Sequence, residues 1–191
     1  MVKNDNFIAL TNKIIEKALA NKSSSLEDVK ALLLDGRTIG EQVTEQTGII
    51  GEKIELPFYE CIAAEYVVPY IHPGNKLATL VGFNKVVDLQ VGKDIAMQIA
   101  AMSPVAIDNN DVAPEIVEQE LKIAKEKFRL EGKPENMLDK IAQGALNKFF
   151  KESTLLNQDF VKDNKMTIRQ YLGNVDKDLK VIEFKRFTLN V

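Results

Sequence analysis

Apolar residues in the first twenty positions fall at helical steps. Phe7, Ile8, Leu10, Ile14, Ile15, Ala18 and Leu19 recur every three or four residues, which predicts an amphipathic helix from about Asp5 to Ala20 lying on a core. Ser23-Ser24-Ser25 breaks the pattern, and Ser24 followed by Glu27 matches a capping box, predicting a short helix to Leu34. Asp35-Gly36 ends it. Thr38 with Glu41 repeats the capping pattern for a third helix through Val43 toward Thr47, with Gly48-Ile49-Ile50-Gly51 as a loop. Three helices are therefore expected before any strand. From Glu52 onward, Ile54, Leu56 and Phe58 alternate with charged or turn residues, the period of a half-buried strand.

The stretch from Tyr66 to Ser103 organises the rest. Two extended runs, Tyr66 to Ile71 and Leu77 to Phe83, flank His72-Pro73-Gly74-Asn75, where Pro fixes φ and Gly and Asn permit positive φ, so the chain should reverse there as a hairpin. Three strands following one another directly favour antiparallel pairing. Beyond them Ile95, Ala96, Met97, Ile99, Ala100 and Ala101 leave no wide polar face, which predicts a helix, 92–102, buried on most sides. Ser103-Pro104 closes it, and Val105, Ala106 and Ile107 form a short extended piece.

After the polar Asp108-Asn109-Asn110-Asp111 the rhythm changes again. Pro114 suits a first helical turn, and Val117, Leu121, Ala124 and Phe128 form a seam at steps of four, three and four. Gly132-Lys133-Pro134 separates it from a matching seam at Leu138, Ala142, Ala145 and Phe149. Matched seams and a tight link predict an antiparallel, coiled-coil-like helical hairpin, with Ile116, Ile123, Leu130, Met137, Ile141 and Phe150 as surplus apolar positions that call either for a partner or for packing of the hairpin back on its own domain. Leu155 to Asn164 reads as mixed loop or strand, and Thr167 caps a short helix to Leu172. A last strand carries Leu179, Ile182, Phe184, Phe187, Leu189 and Val191. Its parity changes between Phe184 and Phe187, which places a bulge near Lys185-Arg186, and it should close a second sheet region.

These elements make an α+β fold of packed helices and antiparallel sheets. The expected segments are 1–107 as an N-terminal subdomain, 108–153 as the helical hairpin and 154–191 as the rest of a C-terminal subdomain, to which the 92–102 helix could also belong.

Composition narrows the chemistry. At 191 residues and 45% hydrophobic the chain can bury a core, and a net charge of −3 with mixed signs offers no concentrated basic surface for nucleic acid. A protein partner or a small ligand is expected instead. The single Cys61 fits a reducing, cytoplasmic setting and a packing role, and no run is long and apolar enough for a membrane span. Neither a P-loop nor a Gly-x-Gly-x-x-Gly is present, and one His and one Cys cannot build a His/Cys zinc site, so no metal or cofactor is expected. No residue is assigned a catalytic role. His72 can be read as a general base of a small hydrolase, a turn residue or an interface contact, but no nucleophile stands beside it.

Several landmarks then carry a resemblance. They are Lys3-Asn4-Asp5-Asn6-Phe7, Ile49-Ile50-Gly51-Glu52-Lys53-Ile54, Tyr70-Ile71-His72-Pro73-Gly74-Asn75, Lys93 to Ala101, Gly132-Lys133-Pro134, Leu155 to Val161 and Phe184-Lys185-Arg186-Phe187. In this order they resemble bacterial elongation factor Ts, the guanine-nucleotide exchange factor for the GTPase elongation factor Tu. The resemblance implies two related α+β subdomains with a projecting helical hairpin, and a translation factor that is not an enzyme but binds the GTPase and speeds GDP release. It also implies that Ile50, Gly51 and His72 contact the nucleotide domain, and that Phe160, Val161 and Lys162 meet another surface of the partner. In some members the hairpin serves dimerisation, here through the seam residues named above. The N-terminal helical domain and the Thr-Asp-Phe motif of full-length members have no counterpart in this sequence, which implies reduced exchange. The alternative is a structural module that self-assembles through the hairpin.

Overall fold

The structure, a computed structural model, describes residues 5–189; Lys3-Asn4 and Val191, used above, lie outside the described residues. The chain divides into two compact units, Met1–Cys61 and Ile62–Val191.

In the N-terminal unit α1 (Asp5–Ala20) buries Ala18 and packs Ile14 on the core, while Ile8, Ile15 and Leu19 stay exposed. α2 (Leu26–Ala31) starts one residue later than the sequence reading placed it. Ser25, not Ser24, is its N-cap, and Asp28, not Glu27, completes the capping box. Strands β1 (Leu33–Leu34) and β2 (Arg37–Thr38) follow as a two-residue hairpin before the third helix, which corrects the expectation that three helices precede any strand. The cause is Asp35-Gly36, both at positive φ (52° and 85°), a turn whose twist suits a hairpin. α3 (Ile39–Ile50) opens on the expected Thr38–Glu41 capping box. It runs through Gly48-Ile49-Ile50, expected as a loop, and stops at Gly51, which sits left-handed at φ 76°. Gln42 is buried and donates its side-chain amide to the Leu34 carbonyl.

The stretch after α3 is not a strand. Ile54, Leu56 and Phe58 alternate as predicted, yet no neighbouring strand pairs with them. Ile54 is held by Thr47, whose hydroxyl accepts from the Ile54 amide at 3.0 Å; Leu56 and Tyr59 pack on Ala18, Val29 and Ile39, and Phe58 is exposed. Extended side-chain rhythm alone does not pair the backbone donors, and here a single side chain, Thr47, meets the Ile54 amide.

The C-terminal unit is built on β3 (Tyr66–Ile71), β4 (Leu77–Phe83) and α4 (Leu89–Met102). β3 and β4 pair antiparallel from Tyr66↔Phe83 to Ile71↔Ala78, with the reversal at His72-Pro73-Gly74-Asn75 as expected. Pro69 lies within β3, which is an edge strand and so tolerates a residue without an amide donor. α4 buries Gly92, Asp94, Ile95, Ala96, Gln98, Ile99 and Ala100, agreeing with a helix enclosed on most sides. At Gly92 a Cβ would stand 2.5 Å from Val68 Cγ2, so the bare backbone is what lets α4 approach β3.

α5 (Pro114–Leu130) and α6 (Glu135–Ser153) are joined by a four-residue turn containing Gly132 at φ 77°. The turn reverses the chain, and the ion pairs Lys125–Asp139 and Arg129–Glu135 bridge the two helices. Ala124, Leu138 and Ala142 of the expected seams are buried, as is Leu146, which the seam reading passed over; Val117, Leu121, Phe128, Ala145 and Phe149 are half-buried. The chain then passes through a 3-10 turn at Leu155–Asn157, the short pair β5 (Asp159–Phe160) and β6 (Asp163–Thr167), α7 (Ile168–Val175) capped by Thr167 and Gln170, and β7 (Val181–Thr188).

β7 does not close a separate sheet. It pairs antiparallel with β4 from Leu77↔Thr188 to Phe83↔Val181, giving one sheet in the order β3-β4-β7. The irregularity also moves: Gly82 faces Glu183 while Phe83 faces Val181, so the extra residue is Ile182, not Lys185-Arg186. The core of this unit joins Val68, Val81, Phe83, Ile95, Ile99, Leu155, Phe160, Ile168, Leu172 and Val181.

Candidate functional site

The residues singled out by sequence are distributed over three places. Ile50 and Gly51 form the end of α3 in the N-terminal unit, where the Gly51 amide donates to the Thr47 carbonyl at 3.0 Å. Gly51 is exposed and Ile50 half-buried, and Ile49 beside them is 67% exposed, an apolar group at a helix end. His72 stands exposed at the tip of the β3–β4 hairpin. Its Nδ1 lies 3.0 Å from the Tyr70 hydroxyl, and the two rings meet edge to face. Its amide is bonded to the Leu77 carbonyl, so the ring projects from a closed turn. Among the described residues, the side chain bonded to its ring is the Tyr70 hydroxyl, and no carboxylate is bonded there.

Phe160 ends β5, and Val161 and Lys162 form the turn to β6. Their roles separate in the structure. Phe160 is buried and stacked on Tyr171 with centroids 4.5 Å apart, so it is a core anchor of the turn and not an accessible contact. Val161 is 48% exposed. Lys162 reaches back to Asp94 of α4, Nζ to Oδ1 at 2.7 Å.

Sequence reading passed over the residues beneath this turn. Gln90, Asp94 and Gln98 recur every fourth position and so share a face of α4. Asp94 is buried and accepts from Lys162, from Gln90 Nε2 at 2.7 Å and from the Tyr171 hydroxyl at 2.9 Å. Burial pushes its carboxyl up, but the three donors outweigh burial and hold it below the usual aspartate range. Burial and the Asp94 carboxylate together push the Tyr171 hydroxyl well above its ordinary value, so it stays a donor. Gln98 is fully buried: its Oε1 accepts from the Val161 amide at 2.9 Å, and its Nε2 donates to Gln158 Oε1 and the Asp159 carbonyl, each at 3.2 Å. The available signal was the four-residue spacing of polar groups on a helix otherwise too apolar to be exposed.

A second polar cluster ties the start of the helix pair to its end. Asp108 accepts from Arg169 at 2.7 Å and from Asn157 at 2.9 Å; burial raises its carboxyl, and these donors bring it below the usual range. A cavity of about 430 Å³ beside it, lined by Ile107, Leu156, Arg169, Leu172 and Lys177, includes none of the predicted site residues. Among the described residues no cluster of three or more His, Cys, Asp and Glu is placed to hold a metal, and no helix is long and apolar enough to cross a membrane.

Comparison with known proteins adds what geometry does not. The family profile described as Elongation factor TS matches residues 1–191. A protein of Azobacteroides pseudotrichonymphae genomovar. CFP2 named Elongation factor Ts is 53% identical over 192 residues, covering 100% of this chain and 70% of that protein. The protein of the same name from Porphyromonas gingivalis (strain ATCC 33277) is 53% identical over 191 residues with the same shares. That of Christiangramia forsetii is 47% identical over 191 residues, covering 99% of this chain and 69% of its own length.

Proposed function

Because the chain belongs to the elongation factor Ts family, and thus to the translation elongation factors, we propose that it binds elongation factor Tu in the cytoplasm and promotes release of bound GDP. The observation that carries this reading is the family match across the whole chain. Exchange of this kind makes and breaks no covalent bond. It is a coupling free energy: a factor that weakens nucleotide binding is itself bound more weakly when nucleotide is present, and couplings of about 1–3 kcal/mol change affinity roughly 5–150-fold.

In this reading Ile50, Gly51 and His72 meet the nucleotide domain of the GTPase, and Val161 a second surface. The exposure of Gly51, His72 and Val161 supports their availability, and the burial of Phe160 supports a holding role for it. The helix pair, 108–153, acts as a separate module for association, through its exposed apolar groups more than through its seam. Ile123 (49%), Met137 (46%) and Leu130 (86%) remain exposed, whereas Ala124, Leu138 and Ala142 are used between the two helices.

The test is stopped-flow release of a fluorescent GDP analogue from elongation factor Tu, with and without this chain. Faster release that weakens in Gly51→Asp, His72→Ala and Val161→Asp is the expected outcome. No binding to the GTPase at any concentration tried would overturn the proposal.

A further inference from the structure

The turn between β5 and β6 carries its exposed side chain on a support to which one helix contributes most of the hydrogen bonds. Two strands of two and five residues give little rigidity of their own, and their pairing is irregular between Asp159 and Phe160. What fixes the turn comes mainly from α4, with additions from Tyr171 of α7 and from Lys151 of α6, whose ammonium lies 3.7 Å from the Asp159 carboxylate. The Gln98 side chain takes the Val161 amide on one side and the Asp159 carbonyl on the other, so both backbone groups flanking Phe160 are bonded to one buried amide. Four residues earlier on the same face, Asp94 takes the Lys162 ammonium, and Tyr171, bonded to the same carboxylate, stacks on Phe160. Residues 159 to 162 are thus each tied down, except for the Val161 side chain.

We infer that Gln98 and Asp94 are positioning residues for partner binding, holding the 159–162 turn so that Val161 is presented, and that Lys162 serves this support instead of acting as a cation toward the partner. The inference rests on the proposed binding to elongation factor Tu and deepens it: the partner surface met by this turn is apolar, not acidic. Lys162 is half exposed, but its charge is already matched by a carboxylate only 9% exposed, which three donors surround. Preordering of this kind raises affinity by removing the ordering cost at the moment of binding.

The two roles of Lys162 predict opposite results for Asp94→Asn. That change frees the Lys162 ammonium; a partner-facing cation would then keep or gain affinity, whereas a supporting one loses its anchor, and a loss of about tenfold is expected once Lys162 and Tyr171 lose the carboxylate they share. The decisive experiment is a double-mutant cycle on the full chain, measuring affinity for elongation factor Tu together with amide hydrogen exchange. Val161→Ala should cost about tenfold in the unaltered chain but under about threefold in Gln98→Leu, because a side chain on a loosened turn contributes less. Exchange at 159–162 should rise in Gln98→Leu and in Asp94→Asn while β4 and the centre of α4 keep their protection, and Asp94→Glu should recover part of the affinity. If Gln98→Leu fails to fold, Asp94→Asn decides alone, since it leaves the Gln98 contacts intact. Equal cost of Val161→Ala in both backgrounds, or unchanged or tighter binding by Asp94→Asn, overturns the inference while leaving the proposed function standing. Absence of binding by the unaltered chain would instead overturn both.

Discussion

The N-terminal unit encloses Ala18, Val29 and Ile39 with a few half-buried neighbours, while the core of the C-terminal unit draws side chains from β3, β4, α4, α7 and β7. Their connections differ in range as well. In the first, capping boxes at Ser25 and Thr38 and a two-residue hairpin at Asp35-Gly36 fix the path within a few residues of each signal. In the second, the central strand β4 pairs with β7 about a hundred residues later, and α4 is bonded to a turn sixty residues downstream. The comparison teaches that one unit derives its shape from local rules and the other from long-range burial, so they should respond to different kinds of damage.

The largest effect is expected in the C-terminal core. Ile95 is fully buried, and Ile95→Ala should cost about 4 kcal/mol, within the usual range for removing a packed side chain. Ile39→Ala, in the smaller N-terminal cluster, should cost nearer about 2 kcal/mol because fewer neighbours lose contact. Urea unfolding followed by amide exchange in each unit compares them; equal costs would break the comparison.

Next comes Gly92→Ala. Its Cβ would stand 2.5 Å from Val68 Cγ2, forcing α4 and β3 apart at an expected cost of about 2 kcal/mol. Retained stability would mean that the close approach is incidental. A smaller loss is expected for Thr38→Ala, which removes the acceptor for the Glu41 amide and should cost about 1 kcal/mol. Increased exchange in the first turn of α3, with the C-terminal unit unaffected, would sharpen the contrast between local and distant support.

Acid supplies the subtlest probe. The folded-state carboxyl of Asp94 titrates below the ordinary aspartate value of 3.8, so its contribution is present above that value and is lost as pH falls through the folded one. Thermal melts of the C-terminal unit should therefore fall between about pH 4 and the lower folded value, and Asp94→Asn should flatten that limb. An unchanged acid limb in the variant would remove Asp94 from the account of acid sensitivity.

Legibility in the sequence followed the same division. Thr38 with Glu41, Thr167, Pro114 and the reversal at His72 to Asn75 were readable because each signal acts within four residues. The alternation at Ile54, Leu56 and Phe58 misled, since period two describes side chains and cannot say whether a second strand lies alongside. The register of β7 was hidden for a related reason: only the partner strand reveals that Ile182 is the extra residue. Asp35-Gly36 reads as a helix end when followed along the chain, yet Asp-Gly is among the stronger hairpin signals and forms one here. As for the site, resemblance pointed to Phe160, Val161 and Lys162 as one group. Only packing separates the buried ring from the exposed valine, and only the α4 face shows Asp94 and Gln98 beneath them.

Pro69 has a consequence for the protein at high concentration. The sheet ends on one side with β3, and an open edge is a template on which a second molecule could add a strand and begin to aggregate. With no amide to offer at Pro69, that template is interrupted in the middle of its six residues. β7, the opposite edge, carries Glu183 and Lys185, paired at 3.1 Å, and Arg186, charges that an incoming strand would have to desolvate. Each margin of the sheet is thus a poor template for an added strand, one through a missing donor and the other through its charges.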